Sequence, residues 1–308
     1  MPVVMLLLTA GLWIGYILLS SGAQTDIADT GNTGTQSTVD VIHEKDAATI
    51  TYLSYKSKGN EELSFSYTGS KWTYSGDASY PLVNSYLDSM AAVVSYIGVY
   101  RTLDGGDTGV YGFEDPLLTF YAEYYDGSNC QYAVGNQNPM TGYLYLKDLQ
   151  SGNVYTVDPA ILPYFEYTLA DMFAFDTLGG DIEKDYITSV SWDNGAQTMM
   201  EVSDDAQKEA IYSAYQALTP AVPADWSGTD EALSAYGIAD GPSVTIEYRR
   251  AVTSADESGN EITTRVAASY TVRFGTPIDG KTPYILPGSQ VIYCVDSATI
   301  DTLTQLYT

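Results

Sequence analysis

Apolar positions along this chain fall into three patterns. Residues 2–19 form one unbroken run without a charge. Leu63-Ser64-Phe65-Ser66-Tyr67 alternates with a period of two, the mark of a half-buried strand. Leu82, Val83, Tyr86, Leu87, Met90, Val93, Val94 and Ile97 recur at helical spacing and predict one buried helix face. Pro81 just before them suits a first helical turn, where its missing N–H costs nothing.

The first run has the length of an anchor. As a helix it would span about 27 Å, close to the roughly 30 Å of a bilayer's hydrocarbon core. Trp13 and Tyr16 lie toward its exit side, where amphipathic rings favour the headgroup level. A cleaved signal peptide competes with this reading, because Ser21-Gly22-Ala23 has small-residue spacing. The run is longer than a usual signal core, so the expectation is an uncleaved transmembrane anchor over residues 1–19. That makes the chain a single-pass protein of the cell membrane with its globular part extracytoplasmic. Residues 20–47 are rich in Ser, Gly, Thr and Asp and read as a flexible stalk with a reach of about 30 Å. His43, the only histidine, falls in this stalk and is expected to be merely solvated.

Two globular units follow. In residues 48–178, Ile50–Tyr55 and Leu63–Tyr67 read as strands, and Gly69-Ser70 turns into Lys71–Tyr74. After the helix come strand-like runs at 117–125, 129–134, 143–147 and 153–157, then a short helix from Pro159 to Leu169. The turns Asp126-Gly127-Ser128 and Gln150–Asn153 are short, so neighbouring strands pair antiparallel. In residues 186–308, Ile187–Trp192 parallels Ile50–Tyr55, and Ser203 is a candidate N-cap for a helix running to Leu218. Strands are predicted at 243–252, 263–274, 283–286 and 291–295, the first two joined through Asp256–Asn260.

The units share an order of features. Tyr111-Gly112-Phe113-Glu114-Asp115-Pro116 matches Tyr236-Gly237-Ile238-Ala239-Asp240-Gly241-Pro242. Gly135 answers to Gly275, Gly142 to Gly280, and Val154–Asp158 to Ile292–Asp296. The fold class expected is therefore α+β: an N-terminal transmembrane helix, then two tandem repeats, each an antiparallel β-meander with one packed helix. In the Tyr-Gly-x-x-Asp element Gly permits a positive-φ corner and Asp caps its own turn, so a structural role is preferred to a binding one.

Composition narrows the partners. With 13 Lys+Arg against 39 Asp+Glu the formal charge is −26, a surface that repels nucleic acid. Cys130 and Cys294 do not occupy equivalent places in the two repeats and read as reduced thiols. Two Cys and one His cannot assemble a four-ligand zinc site, and the acidic stretches Asp29–Asp40 and Asp256–Glu261 lack EF-hand spacing, so no metal or other cofactor is expected.

At Tyr111–Pro116, Ala133-Val134-Gly135-Asn136, Thr141–Tyr145 and Val154–Asp158 the chain resembles the family named domain of unknown function 4340. The resemblance covers most of residues 48–178 and the second repeat more weakly. It implies an N-terminally anchored protein of the bacterial cell envelope, associated with an ABC transporter of the gliding-motility type. It carries over no catalytic residue.

Neither a Walker-type loop nor a Gly-x-Gly-x-x-Gly fingerprint occurs. With His43 in a stalk, no imidazole is expected to activate a Ser or Cys. One local feature departs from the acidic background. Arg249, Arg250, Arg265 and Arg273 lie on the two strands of one long hairpin. Arg forks bind carboxylate or phosphate, which makes these four the candidate partner-binding residues; cross-strand pairing with Glu247 and Glu261 is the plainer reading. The function expected is a non-enzymatic binding or accessory protein. The alternative is an envelope-polymer hydrolase using a carboxylate pair.

Overall fold

The computed structural model describes residues 39–103, 109–256 and 259–305, with side chains to residue 301. In the first unit the strands are β1 (Asp40–Glu44), β2 (Ile50–Ser57), β3 (Leu63–Thr68) and β4 (Lys71–Tyr74). Helix α1 (Asn84–Ser95) follows, then β5 (Tyr96–Val99), β6 (Arg101–Leu103), β7 (Leu118–Tyr124), β8 (Asn129–Gln137), β9 (Leu144–Asp148) and β10 (Val154–Val157). The second unit holds β11 (Ile187–Asp193), β12 (Thr198–Glu201), α2 (Asp205–Gln216), β13 (Pro223–Asp225) and α3 (Asp230–Ala235). It ends with β14 (Ser243–Ala255), β15 (Glu261–Phe274), β16 (Lys281–Ile285), β17 (Ile292–Asp296) and α4 (Ser297–Gln305).

The expected fold class needs correction. Among the described residues the chain is mostly β, 43% strand against 21% helix, in three sheets. Among the described residues no helix is long and apolar enough to cross a membrane. The physical reason is length: α1 and α2, of 12 residues each, would reach about 18 Å, well short of a bilayer core. The apolar run 2–19 and the stalk up to residue 38 lie outside the described residues. The transmembrane helix, the membrane as partner and the single-pass cell-membrane localisation are therefore withdrawn.

Both large sheets have the same connectivity. The first runs β4-β3-β2-β7-β8-β9-β10-β6 and the second β12-β11-β14-β15-β16-β17-β13, with every recorded pairing antiparallel. With β4 set aside, replacing β3, β2, β7, β8, β9, β10 and β6 by β12, β11, β14, β15, β16, β17 and β13 converts one order into the other. The first unit has one extra strand in its early hairpin. Leu87, Met90, Ala91 and Val94 of α1 are buried in one core with Leu53, Phe65, Leu118 and Phe120. Ile211, Ala214 and Tyr215 of α2 are buried in another with Val190, Val244, Val272 and Tyr284.

Several boundaries differ from the periodicity. Helix α1 begins at Asn84, because Pro81 and Val83 bond to Ala174 and Met172 in a short antiparallel pairing. It stops before Tyr96-Ile97-Gly98-Val99, whose aromatic and β-branched residues prefer a strand. Helix α2 is capped by Asp204, not Ser203: its carboxylate accepts the Ala206 N–H at 2.6 Å. Residues 40–44, expected in the stalk, form β1 and pair with β5.

Candidate functional site

The repeated Tyr-Gly corners share one backbone geometry. Gly112 and Gly237 have φ of +80° and +70°, the left-handed region that glycine enters without steric cost. Each corner then lays its Tyr carbonyl on a glycine, Gly135 within β8 or Gly275 just past the end of β15. A Cβ at Gly135 would lie 2.0 Å from the Tyr111 oxygen, and one at Gly275 would lie 2.1 Å from the Tyr236 oxygen. The residue after that glycine seals the corner: Asn136 donates to Val110 O at 3.0 Å, and Thr276 N–H donates to Tyr236 O at 2.9 Å. Asp115 in the first corner pairs with Lys58 at 2.6 Å.

The second corner opens into a cleft of about 530 Å³ lined by Ser234, Gly237, Asp240, Pro242, Thr276 and Pro277, among others. Asp240 is the single carboxylate among its lining residues. A glycoside-cleaving dyad needs two, roughly 5–10 Å apart. The cleft can offer hydroxyls and one anionic oxygen to a small polar group.

His43 is placed very differently from a stalk residue. It stands in β1, half-buried, with Nε2 2.8 Å from Tyr124 Oη. Its ring also meets the Tyr132 ring edge-on at a centroid distance of 6.4 Å. Burial, then the nearby Lys45 charge, holds its pKa below the ordinary imidazole value. Tyr124 Oη is in turn 3.8 Å from Cys130 Sγ. Burial pushes this thiol up to about 11, so it is protonated at neutral pH. A protonated, buried thiol is a poor nucleophile. Cys130 and Cys294 are both free, and among the described residues no group of three or more His, Cys, Asp or Glu could hold a metal.

The four hairpin arginines are spread apart. Register pairs Arg249 with Ala267, Arg250 with Val266, Arg265 with Ala251, and Arg273 with Ser243. Val244, Ile246, Tyr248, Tyr270, Val272 and Phe274 are buried, so even-numbered positions face the core. Arg250 shares that face; Arg249, Arg265 and Arg273 share the other. Arg273 is exposed at the sheet end, about 20 Å along the ladder from Arg249. Arg265 alone of the four makes an ion pair among the described residues, and its partner is Glu183, not Glu247 or Glu261. The fork is bidentate at 2.7 and 2.8 Å, and the guanidinium stacks 3.5 Å from the Tyr186 ring centroid. It also holds the Glu183 carboxyl below its usual range.

Sequence reasoning missed what these arginines decorate. Beyond Tyr248, β14 loses its β11 neighbour, and β15 meets β16 only at Arg273 and Phe274. Residues 249–255 and 261–267 thus project as a two-stranded ribbon, nearly all exposed. Its signal was present in the strand lengths, 13 and 14 residues against four to nine in the first unit's meander.

No family model, curated protein or solved structure matches this chain.

Proposed function

We propose that the protein is a non-enzymatic binding or accessory protein that engages its partner through the β14–β15 ribbon. One observation carries this reading: the ribbon leaves its sheet with paired strands and an unpaired outer edge. Main-chain donors and acceptors on such an edge are a template for a further strand. The groups that could have carried chemistry serve packing instead, with His43 and Cys130 both tied to Tyr124. The resemblance to the 4340 family implies a setting for that assembly, beside a transporter complex of ABC type, and does not say what occupies the ribbon.

The reading is tested by shortening the ribbon. Residues 251–265 are replaced by Asn-Gly, a two-residue turn that suits the twist of paired strands. The shortened chain should keep the wild-type circular dichroism and lose the assemblies that the full chain forms. Unchanged assembly by a folded, ribbon-shortened chain refutes the proposal.

A further inference from the structure

We infer that the ribbon's partner is a second copy of this chain, joined by antiparallel pairing of β15 with β15 about a twofold axis near Val266. This rests on the binding reading above and names its occupant.

Hydrogen bonding at the two ends of the hairpin sets the phase of the edge. Asp256 N–H donates to Asn260 O, and Phe274 N–H donates to Pro242 O, each at 2.8 Å. In an antiparallel ladder hydrogen-bonded pairs alternate with open ones. Even-numbered residues of β15 therefore direct their main-chain groups to β14. Odd-numbered residues from Glu261 to Thr271 direct theirs outward. Gly275 N–H obeys the same parity by donating to Pro283 O at 2.8 Å, on the β16 side. The ladder runs from Ser243↔Arg273 to Ala255↔Glu261 without a register shift. It carries none of the bulges or prolines that blunt natural sheet edges. Arg265 leans across β14 to Glu183, leaving the edge uncovered.

Three features select a second copy. Charge is the first: β15 begins at Glu261 and carries Arg273 near its other end. Antiparallel pairing of two copies centred on Val266 sets Glu261 opposite Thr271 of the partner subunit. That is one diagonal step from Arg273 of the partner subunit, within reach of long side chains. A parallel arrangement would set like charges together. The second feature is apolar area. Ile262 and Val266 are 45% and 39% exposed on the face that continues the core. The same pairing places Ile262 opposite Tyr270 of the partner subunit and Val266 opposite its own counterpart, which covers both. The third is closure: a twofold consumes both edges and stops, whereas other edge-to-edge pairings propagate. Opposing all three is a net charge of −26 on each copy, a repulsion that salt screens. Association should therefore strengthen as ionic strength rises.

The test uses the full chain in analytical ultracentrifugation at low and high salt. A mass doubling from 33.4 kDa, favoured by salt, is expected. Val266→Cys should give a disulfide-linked dimer under mild oxidation, because directly opposed open pairs have Cα atoms about 4.5 Å apart, within disulfide range. Thr253→Cys, on β14, should not. Ala267→Pro removes an outward N–H and no bond to β14, and Val266→Lys keeps every main-chain donor while charging the axis. Both should be monomers with wild-type circular dichroism. A wild type that stays monomeric at high salt, or a dimer that survives both substitutions, overturns the pairing. If the wild type is monomeric and β15 amides gain exchange protection only with a different protein present, the edge takes a foreign strand. The dimer then falls while the binding reading stands. If the monomer's ribbon amides gain protection from nothing, both readings fall.

Discussion

The main-chain oxygen of Tyr236 rests against Gly275 so closely that a Cβ would stand 2.1 Å away, and Tyr111 repeats this against Gly135 at 2.0 Å. Real Cβ atoms do not approach a carbonyl oxygen so nearly, and backbone on both sides has little freedom to retreat. Gly135→Ala and Gly275→Ala are therefore expected to destabilise the chain by about 1–3 kcal/mol or more each, the cost of overpacking. Chemical denaturation checks this. Gly142→Ala is the contrast: its φ is +76°, yet nothing lies within 4 Å of the added Cβ, so only the smaller left-handed penalty applies, about 1–2 kcal/mol. Equal losses at Gly135 and Gly142 would contradict the packing account.

His43 makes stability depend on pH. Its pKa in the folded chain is lowered, chiefly by burial, from an unfolded value near 6.5. As pH falls through that unfolded value, the unfolded chain takes up a proton that the folded chain resists, so stability declines. Above it the folded and unfolded imidazoles are both neutral and the dependence vanishes. His43→Ala should flatten the stability curve between about pH 5 and pH 7. A wild type with no more slope in that window than His43→Ala would show that the imidazole titrates freely.

Much of the fold could be read from periodicity, and the misses have physical causes. The meander strands of each unit were found within three residues of their ends because short Gly-rich turns bound them. β1 was missed because Asp40-Val41-Ile42-His43-Glu44 is mostly exposed, and only pairing with β5 makes it a strand. β6, β12 and β13 are three or four residues long, and tertiary pairing alone selects them. The four arginines were located on the right hairpin, but alternation cannot show that Glu183, far away in sequence, takes Arg265. Nor does alternation tell a strand inside a sheet from one that projects beyond it.

The two thiols should differ in reactivity. Cys130 is 4% exposed with its thiol pushed up to about 11, whereas Cys294 is only partly buried. The thiolate is the reacting species; burial raises the pKa of both thiols, and the greater access of Cys294 favours its reaction. A disulfide reagent at mildly alkaline pH should modify Cys294 first, and Cys130 on a slower phase that denaturant abolishes. Cys130→Ser should cost about 1–3 kcal/mol, the cost of placing a hydroxyl in an apolar site. A single fast phase for both thiols would place Cys130 at the surface.

Trp226 fastens the two units along an aromatic seam. Its ring lies 5.1 Å from the Tyr80 ring and 6.0 Å from that of Phe173, both contributed by the first unit or its exit. Its indole N–H donates to Asp77 Oδ2 at 2.9 Å. Asp77 also accepts from Ser79, and these bonds hold its pKa below the usual carboxylate value. Asp77 is exposed to solvent, so the rings should supply most of the seam's energy. Trp226→Phe, which keeps an aromatic ring and removes the donor, should be mild. Trp226→Ala should cost about 2–4 kcal/mol, toward the lower part of the range for buried aromatic truncations, because the ring is only partly covered. The sharper expectation concerns cooperativity. The two large buried clusters are separate except where Phe173 and Tyr80 join the second, so weakening the seam there should let the two units unfold at separate denaturant concentrations. Tryptophan fluorescence and far-ultraviolet circular dichroism, coincident in the wild type, should then diverge in Trp226→Ala. Coincident transitions in that variant, with the midpoint lowered and the slope unchanged, would mean that contacts other than this seam couple the units.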